Sequence, residues 1–405
     1  MIILHKRDHY LKLLVSFQDQ PLIKVITGMR RSGKSYLMAL YRNHLLHQGI
    51  SENRIITMNF ESFDFADITN AKQLYTAVRS KINSADRHYI LLDEVQLVDQ
   101  WEKAVNAFRV DLDADITITG SNAYLLSSEL STLIAGRYVE IRLLPLSFQE
   151  YLDFSGQTDQ NERMAAFGRY LRYGSLPTIT SLPEDPEVIR IYLSGIYNTV
   201  MMKDVIARNK IRDGALLHRV MVFLAKNIGN PISAKSISDY LTSSGHKISA
   251  ETVDSYLDML ENAFIIYRAD RYDARGKTIL KKWAKYYIVD TGIRNELLGF
   301  GNADFGRVYE NIVYFELIRR GYQVTIGKVD NLEVDFVATK SDKTAYYQVA
   351  ATLADPNTRQ RELRSLLDIR DNYEKVILSM DTYPYPTDEQ GVLLRNIVDF
   401  LQENK

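Results

Sequence analysis

Short unbroken apolar runs alternate with helically spaced ones through the first third of the chain. Residues 22–26, 54–60, 89–92, 115–119 and 138–143 each read as a strand. Residues 36–41 open a helix, 71–82 carry apolar side chains at helical spacing, and 8–17 read as a short amphipathic helix before the first strand. This alternation predicts an α/β fold, a parallel sheet with helices on both faces and its ligand at the C-terminal strand ends. The pattern then changes. A short helix at 147–154 is followed by a polar break at 155–159, and 161–212 is mostly helical around Pro177, Pro183 and Pro186. Helices fit 215–227, 234–241 and 250–263, with a turn at Gly229-Asn230-Pro231. Strand-like residues at 265–267 and 286–289 complete a winged-helix-like unit, closed by a turn at Asp290-Thr291-Gly292. Beyond residue 301 the order is a helix at 305–319 and strands at 322–326, 333–338 and 345–350. A helix at 358–369, a strand at 375–380 and a helix at 389–402 follow. These shifts predict four parts: 1–155, 156–212, 213–300 and 301–405.

The links between the first elements carry the chemistry. Gly28-Met29-Arg30-Arg31-Ser32-Gly33-Lys34-Ser35 joins the first strand to a helix that continues through Tyr36. A phosphate-binding P-loop needs this context. Gly28 and Gly33 let the backbone curl with its N–H groups inward, and the helix adds its positive N-terminal end. Lys34 is placed to reach the β- and γ-phosphates of a nucleoside triphosphate, and the Ser35 hydroxyl to ligate Mg²⁺. Arg30 and Arg31 stand in solvent or face a partner. The strand at 89–92 ends in Asp93 and Glu94, a Walker B pattern. Asp93 is placed to hold Mg²⁺ with Ser35, and Glu94 to polarise the attacking water. The next strand ends at Gly120-Ser121-Asn122, where small polar side chains, Asn122 among them, read as sensors of the γ-phosphate or the water, or as a polar turn with a helix cap. Arg137, after Ala135-Gly136, reads as an arginine finger or as a surface turn residue. A finger reaching a neighbour's nucleotide would require a homo-oligomer; one acting in its own chain would not.

Composition narrows the classes. The 405 residues allow two or three domains with sizeable cores. A formal net charge of -1 excludes a generally basic, nucleic-acid-coating surface, so such binding needs a local patch. A candidate is the hairpin 268–285, where Arg268, Arg271, Arg275, Lys277, Lys281, Lys282 and Lys285 stand against Asp270 and Asp273, with Tyr272 and Trp283 interleaved; it reads as a surface for a nucleic-acid backbone, or as a solvated hairpin or internal docking surface. The helix before it carries Glu251, Asp254, Asp258 and Glu261, which repel phosphates, so it reads as packing against protein rather than entering a groove. With no cysteine, disulfides and thiolate metal sites are impossible, which fits a reducing, cytoplasmic setting. No stretch approaches the roughly 20 apolar residues of a membrane span, and none is expected to enter one.

The P-loop, Leu92-Asp93-Glu94-Val95-Gln96, Thr119-Gly120-Ser121-Asn122, Ala135-Gly136-Arg137 and Pro145-Leu146-Ser147-Phe148 together resemble prokaryotic AAA-superfamily ATPases. Tyr173-Gly174-Ser175-Leu176-Pro177 and Lys203-Asp204 resemble the group within it that carries a large C-terminal region of unassigned function. The resemblance implies ATP as the nucleotide and a winged-helix-like unit at 213–300. The order of elements after residue 301 resembles a restriction-endonuclease-like core, whose motif sets a helix Glu, a strand Asp and a Glu-x-Lys around Mg²⁺. Glu310 and Asp335 fill the first two places, but the third reads Gln348-Val349-Ala350. Gln348 offers a neutral oxygen where a hard anionic ligand is needed, and Ala350 offers nothing in place of the lysine. The expectation is an interaction domain that has lost nuclease chemistry, with Lys328, Lys340 or Lys343 as conceivable substitutes.

Overall fold

The computed structural model describes residues 5, 7–123, 136–157, 162–273, 278–301, 305–329, 332–382 and 387–403. The chain forms two compact units, Met1–Pro145 with Asn262–Phe264, and Leu146–Glu261 with Ile265–Lys405. Ala135, part of the polar break at 155–159, Arg275 and Lys277 lie outside the described residues.

In the first unit β1 (Ile23–Thr27), β2 (Ile55–Asn59), β3 (His88–Asp93), β4 (Ala114–Gly120) and β5 (Tyr138–Arg142) form one sheet, ordered β2-β3-β4-β1-β5. Every pair is parallel. Every residue of β1 and β3 is buried, as in strands covered on both faces. Alternate strand residues point to opposite layers. Val25, Met58, Leu92 and Ile118 pack with Leu74 and Val78 of α3 (Ala71–Arg79) and with Val105 and Phe108 of α4 (Trp101–Asp111). Ile26, Leu91 and Ile141 pack with Leu14 of α1 (Asp8–Ser16) and with Leu37 and Tyr41 of α2 (Lys34–His47). One polar pair crosses this core. Lys24 of β1 is ion-paired with Asp115 of β4, and both side chains are fully buried. Burial lowers the Lys24 pKa against the opposing pull of Asp115. The strand order also places β4 between the P-loop strand and the strand ending in Asp93, so its C-terminal tip lies between their tips.

The second unit begins with α5 (Phe148–Ser155), opened by a Ser147–Glu150 capping box. Helices α6 (Arg163–Tyr173) and α7 (Pro186–Thr199) follow, and α7 runs into a π-helical segment, Val200–Ala207, that contains Lys203 and Asp204. Then come α8 (Gly214–Lys226), α9 (Ala234–Ser243), α10 (Ala250–Asn262) and the antiparallel hairpin β6 (Ile266–Asp273) and β7 (Thr278–Ile288). Asp290-Thr291-Gly292 does not close this region as a simple turn. Asp290 caps α11 (Thr291–Leu298), accepting a hydrogen bond from Ile293 N at 3.1 Å. After α12 (Phe305–Arg319) come β8 (Gln323–Val329), β9 (Leu332–Lys340), β10 (Lys343–Val349), α13 (Pro356–Leu367) and β11 (Glu374–Ser379). The helix expected at 389–402 is instead a short hairpin, β12 (Thr387–Glu389) and β13 (Val392–Asn396), followed by α14 (Ile397–Gln402). Gln390 and Gly391 both have positive φ, the backbone of a two-residue hairpin turn.

The hairpin is not a free-standing wing. β6 pairs in parallel with β8, so an eight-stranded sheet runs β12-β13-β11-β10-β9-β8-β6-β7. Its basic residues are accordingly less available than their count suggests. Arg268 is 2.8 Å from Asp270, Arg271 is 3.9 Å from Glu333, and Lys285 is buried. The side chains of Lys281 and Lys282 lie outside those described. Among the described residues, no helix is long and apolar enough to cross a membrane.

Candidate nucleotide-binding site

β1 ends at Thr27, and the chain turns through residues 28–33 into α2. Gly28 and Gly33 have φ of 144° and 100°, and Arg31 between them is also left-handed at 68°. A Cβ on Gly28 would lie 2.2 Å from the Leu143 carbonyl oxygen, so this turn admits glycine alone. Met29 and Ser32 are buried, Arg31 is exposed, and Arg30 is 3.1 Å from Glu61. The Tyr36 hydroxyl donates to the His5 carbonyl at 2.9 Å. Lys34 is buried, and its ammonium donates to the carbonyls of Gly28 at 3.2 Å and Met29 at 3.3 Å.

The acids at the end of β3 meet this loop. The Lys34 ammonium lies 3.6 Å from Glu94 Oε1. Ser35 is near enough to Asp93 to pull its carboxyl pKa down, so the two expected Mg²⁺ ligands are neighbours. Asp93 also accepts from Thr119 Oγ1 at 2.5 Å. Burial pushes the Asp93 carboxyl up, against the hydrogen bonds from Ser35 and Thr119. Glu94 stands in the left-handed region at φ 51°. Its backbone N–H donates to Thr119 Oγ1 at 2.9 Å, Ser121 Oγ donates to its Oε1 at 2.6 Å, and Gln96 donates to its other oxygen. Burial would raise the Glu94 pKa, but the Lys34 charge and the bonds from Ser121 and Gln96 outweigh it and hold the carboxylate below its ordinary value. Two carboxylates one residue apart are thus shifted in opposite directions.

The other two expected catalytic residues fare differently. Asn122 is buried in the turn after β4, directly beside the serine that binds Glu94. Arg137 is exposed at the start of β5, and its carbonyl accepts from Ile23 N at 2.9 Å. Ile23 opens β1 and the P-loop follows its far end, roughly 13 Å away at the rise of a strand. Arg137 and its own P-loop are therefore at opposite ends of the sheet. The arginine that β5 carries to the P-loop end is Arg142, paired in register with Thr27 and 3.2 Å from Glu140.

The residues present suit a magnesium-bound triphosphate. Ser35 and Asp93 offer the hard oxygens that Mg²⁺ takes. Among the described residues the Ser32 hydroxyl, buried inside the loop, has no hydrogen-bond partner. A phosphate oxygen there would satisfy it. Sequence reasoning placed Ser121 at a polar tip near the phosphates but missed its bond to Glu94, and it missed the parts of Thr119, which binds both acids, and Gln96. Their signal was the polar tip of β4 next to the acid strand, legible only once the strand order was known.

A family model described as an AAA domain matches residues 20–152, and one described as a domain of unknown function matches residues 164–304. An uncharacterized protein of Haemophilus influenzae is 42% identical over 398 residues, 98% of this chain and 98% of that protein. An uncharacterized protein of Methanocaldococcus jannaschii is 30% identical over 371 residues, covering 88% of this chain and 78% of its own. Among solved structures, the Walker-type ATPase PABY2304 of Pyrococcus abyssi superposes with a TM-score of 0.51 at 16% identity, over 73% of this chain and 96% of its own.

Proposed function

This chain belongs to the same family as those Haemophilus influenzae and Methanocaldococcus jannaschii proteins, and from its AAA domain we propose that it binds ATP with Mg²⁺ and hydrolyses it, coupling turnover to rearrangement of the C-terminal unit. One observation carries the reading. Lys34, Asp93 and Glu94 are buried at the C-terminal ends of parallel strands, where α/β sheets bind ligands, with Lys34 3.6 Å from Glu94, Thr119 bridging the two acids, and exposed Ser35 next to Lys34. Ser35 and Asp93 would hold Mg²⁺, which would offset charge on the phosphates. Lys34 leaves the Gly28 and Met29 carbonyls for phosphate oxygens. Glu94, ionised at neutral pH, accepts a proton from water, and Asn122 aligns that water. Exposed Arg137, remote from its own P-loop, reaches the nucleotide of a second copy in a homo-oligomer. The basic hairpin 268–285 is the surface offered to nucleic acid.

The test is phosphate release. Glu94→Gln should bind ATP as tightly as the parent and turn over about 100-fold more slowly or worse, the usual loss for a general base. Equal turnover would refute the role of Glu94. A mixture of Lys34→Ala and Arg137→Ala proteins should regain turnover that neither shows alone, because each supplies what the other lacks.

A second reading, a nucleotide-gated switch with little turnover, has one observation in its favour. Glu94 is engaged by Lys34, Ser121 and Gln96, so it must be released before it can act on water. Nucleotide-dependent assembly without steady phosphate release would select it.

A further inference from the structure

The second unit holds a charge cluster that the ATP chemistry does not use. Lys285 of β7 is 2% exposed, and its ammonium is 2.9 Å from Glu310 Oε1, 2.8 Å from Glu333 Oε1 and 3.5 Å from Asp335 Oδ1. The Tyr287 hydroxyl donates to the same Glu310 oxygen at 2.6 Å. The other Asp335 oxygen accepts from Val349 N at 2.9 Å. Gln348 is spent on tying the cluster together. Its Oε1 accepts from Asp335 N at 3.1 Å, and its Nε2 donates to Glu362 at 2.6 Å. A cavity of about 400 Å³, lined in part by Arg307, Glu310, Glu333, Asp335 and Gln348, opens beside it.

We propose that Lys285 is the resident cation of this centre: it stands where a divalent ion would stand among Glu310, Glu333 and Asp335, and it excludes one. The inference is independent of the ATP reading. An ammonium makes its hydrogen bonds at about 2.8 Å, whereas Mg²⁺ needs oxygens at about 2.0–2.1 Å, so the carboxylates are spread too widely for the metal while the lysine is present. Among the described residues, no group of three or more His, Asp or Glu side chains could hold a metal ion. A second cation in the cluster would sit within a few ångströms of a buried positive charge. Burial alone would lower the Lys285 pKa, but Glu310, Asp335 and Glu333 outweigh it and hold the ammonium protonated.

The experiment uses full-length, nucleotide-free protein titrated with Mn²⁺, with free ion read by electron paramagnetic resonance and thermal melts run in Mn²⁺ and in EDTA. The parent Tm should be the same in both. Lys285→Met should gain a Mn²⁺ site at least about tenfold tighter than anything in the parent, and Lys285→Met/Asp335→Asn should lose it. A parent Mn²⁺ site, or a Mn²⁺-dependent rise in parent Tm, that Glu333→Gln abolishes overturns the proposal. This arm does not depend on Lys285→Met folding. A folded Lys285→Met that gains no site overturns it as well, as does Mn²⁺-dependent plasmid nicking lost in Asp335→Asn.

Discussion

Arg7 is fully buried, although it lies ahead of the first helix and far from the P-loop in sequence. Its Nη1 donates to the Ser32 carbonyl at 3.0 Å and its Nη2 to the Leu144 carbonyl at 3.0 Å. Its guanidinium lies 4.9 Å from the centre of the Tyr10 ring, and the Tyr10 hydroxyl accepts from Leu144 N at 3.2 Å. One side chain therefore fixes the back of the P-loop to the segment after β5. Hydrogen bonds from a charged donor are worth about 1.5–3 kcal/mol each, so Arg7→Ala should cost about 3–6 kcal/mol, less whatever water recovers by entering the space. Arg7→Lys keeps the charge but not the fork that spans both carbonyls, and should lose about half as much. The chain has two tryptophans, and Trp101 is buried in the first unit. In a Trp283→Phe background, urea unfolding followed by fluorescence then reports that unit alone. A fluorescent ATP analogue reads the loop in the same proteins. Arg7→Ala that loses under about 1 kcal/mol and keeps its ATP affinity would sink the idea that the loop is held from behind.

Three further outcomes follow from single contacts. Gly28→Ala forces a Cβ to 2.2 Å from the Leu143 oxygen at a positive φ, so it should abolish ATP binding in calorimetry and destabilise the first unit by about 2 kcal/mol or more. Asp115→Asn removes the carboxylate that offsets burial of the Lys24 ammonium inside the sheet, and should cost about 3–5 kcal/mol by urea unfolding, whereas Lys24→Met/Asp115→Leu should recover most of it; equal losses would show that a stranded Lys24 is not the source of the cost. Glu261 is pushed up from 4.5 to about 7, by burial first and then by Asp258, Asp270 and Asp254 against the pull of Arg268. The folded chain keeps a proton there that the unfolded chain releases, so stability from this group is full below about pH 4.5 and falls as pH rises towards 7. Glu261→Gln should flatten that slope in urea midpoints taken across the window, and an unchanged slope would count against the assignment.

What could be read from sequence was local. Gly28 to Ser35, and Asp93 with Glu94, carry their geometry in consecutive residues, and the strand and helix periods around them were plain. What could not be read needed distant partners. Ser121 acquires its role because β4 lies between β1 and β3, an order that no periodicity encodes. Arg137 looked suited to catalysis by its turn, but the parallel register carries its end of β5 away from the loop. Lys285 counted as one more hairpin cation, because charge is visible in sequence and burial against Glu310, Glu333 and Asp335 is not. The tail at 389–402 was apolar enough to suit either period, and the positive φ at Gln390 and Gly391 settled it as a hairpin.

The pairing of β6 with β8 also bears on how the molecule can be dissected. A truncation that ends near residue 300 would strip Glu310, Glu333 and Asp335 from around Lys285 and strand that ammonium in solvent. The complementary fragment would carry an uncovered β8 edge, ready to zip onto any extended chain. Neither piece would be a faithful miniature of the whole, so aggregation of such fragments would report on where they were cut rather than on the native protein.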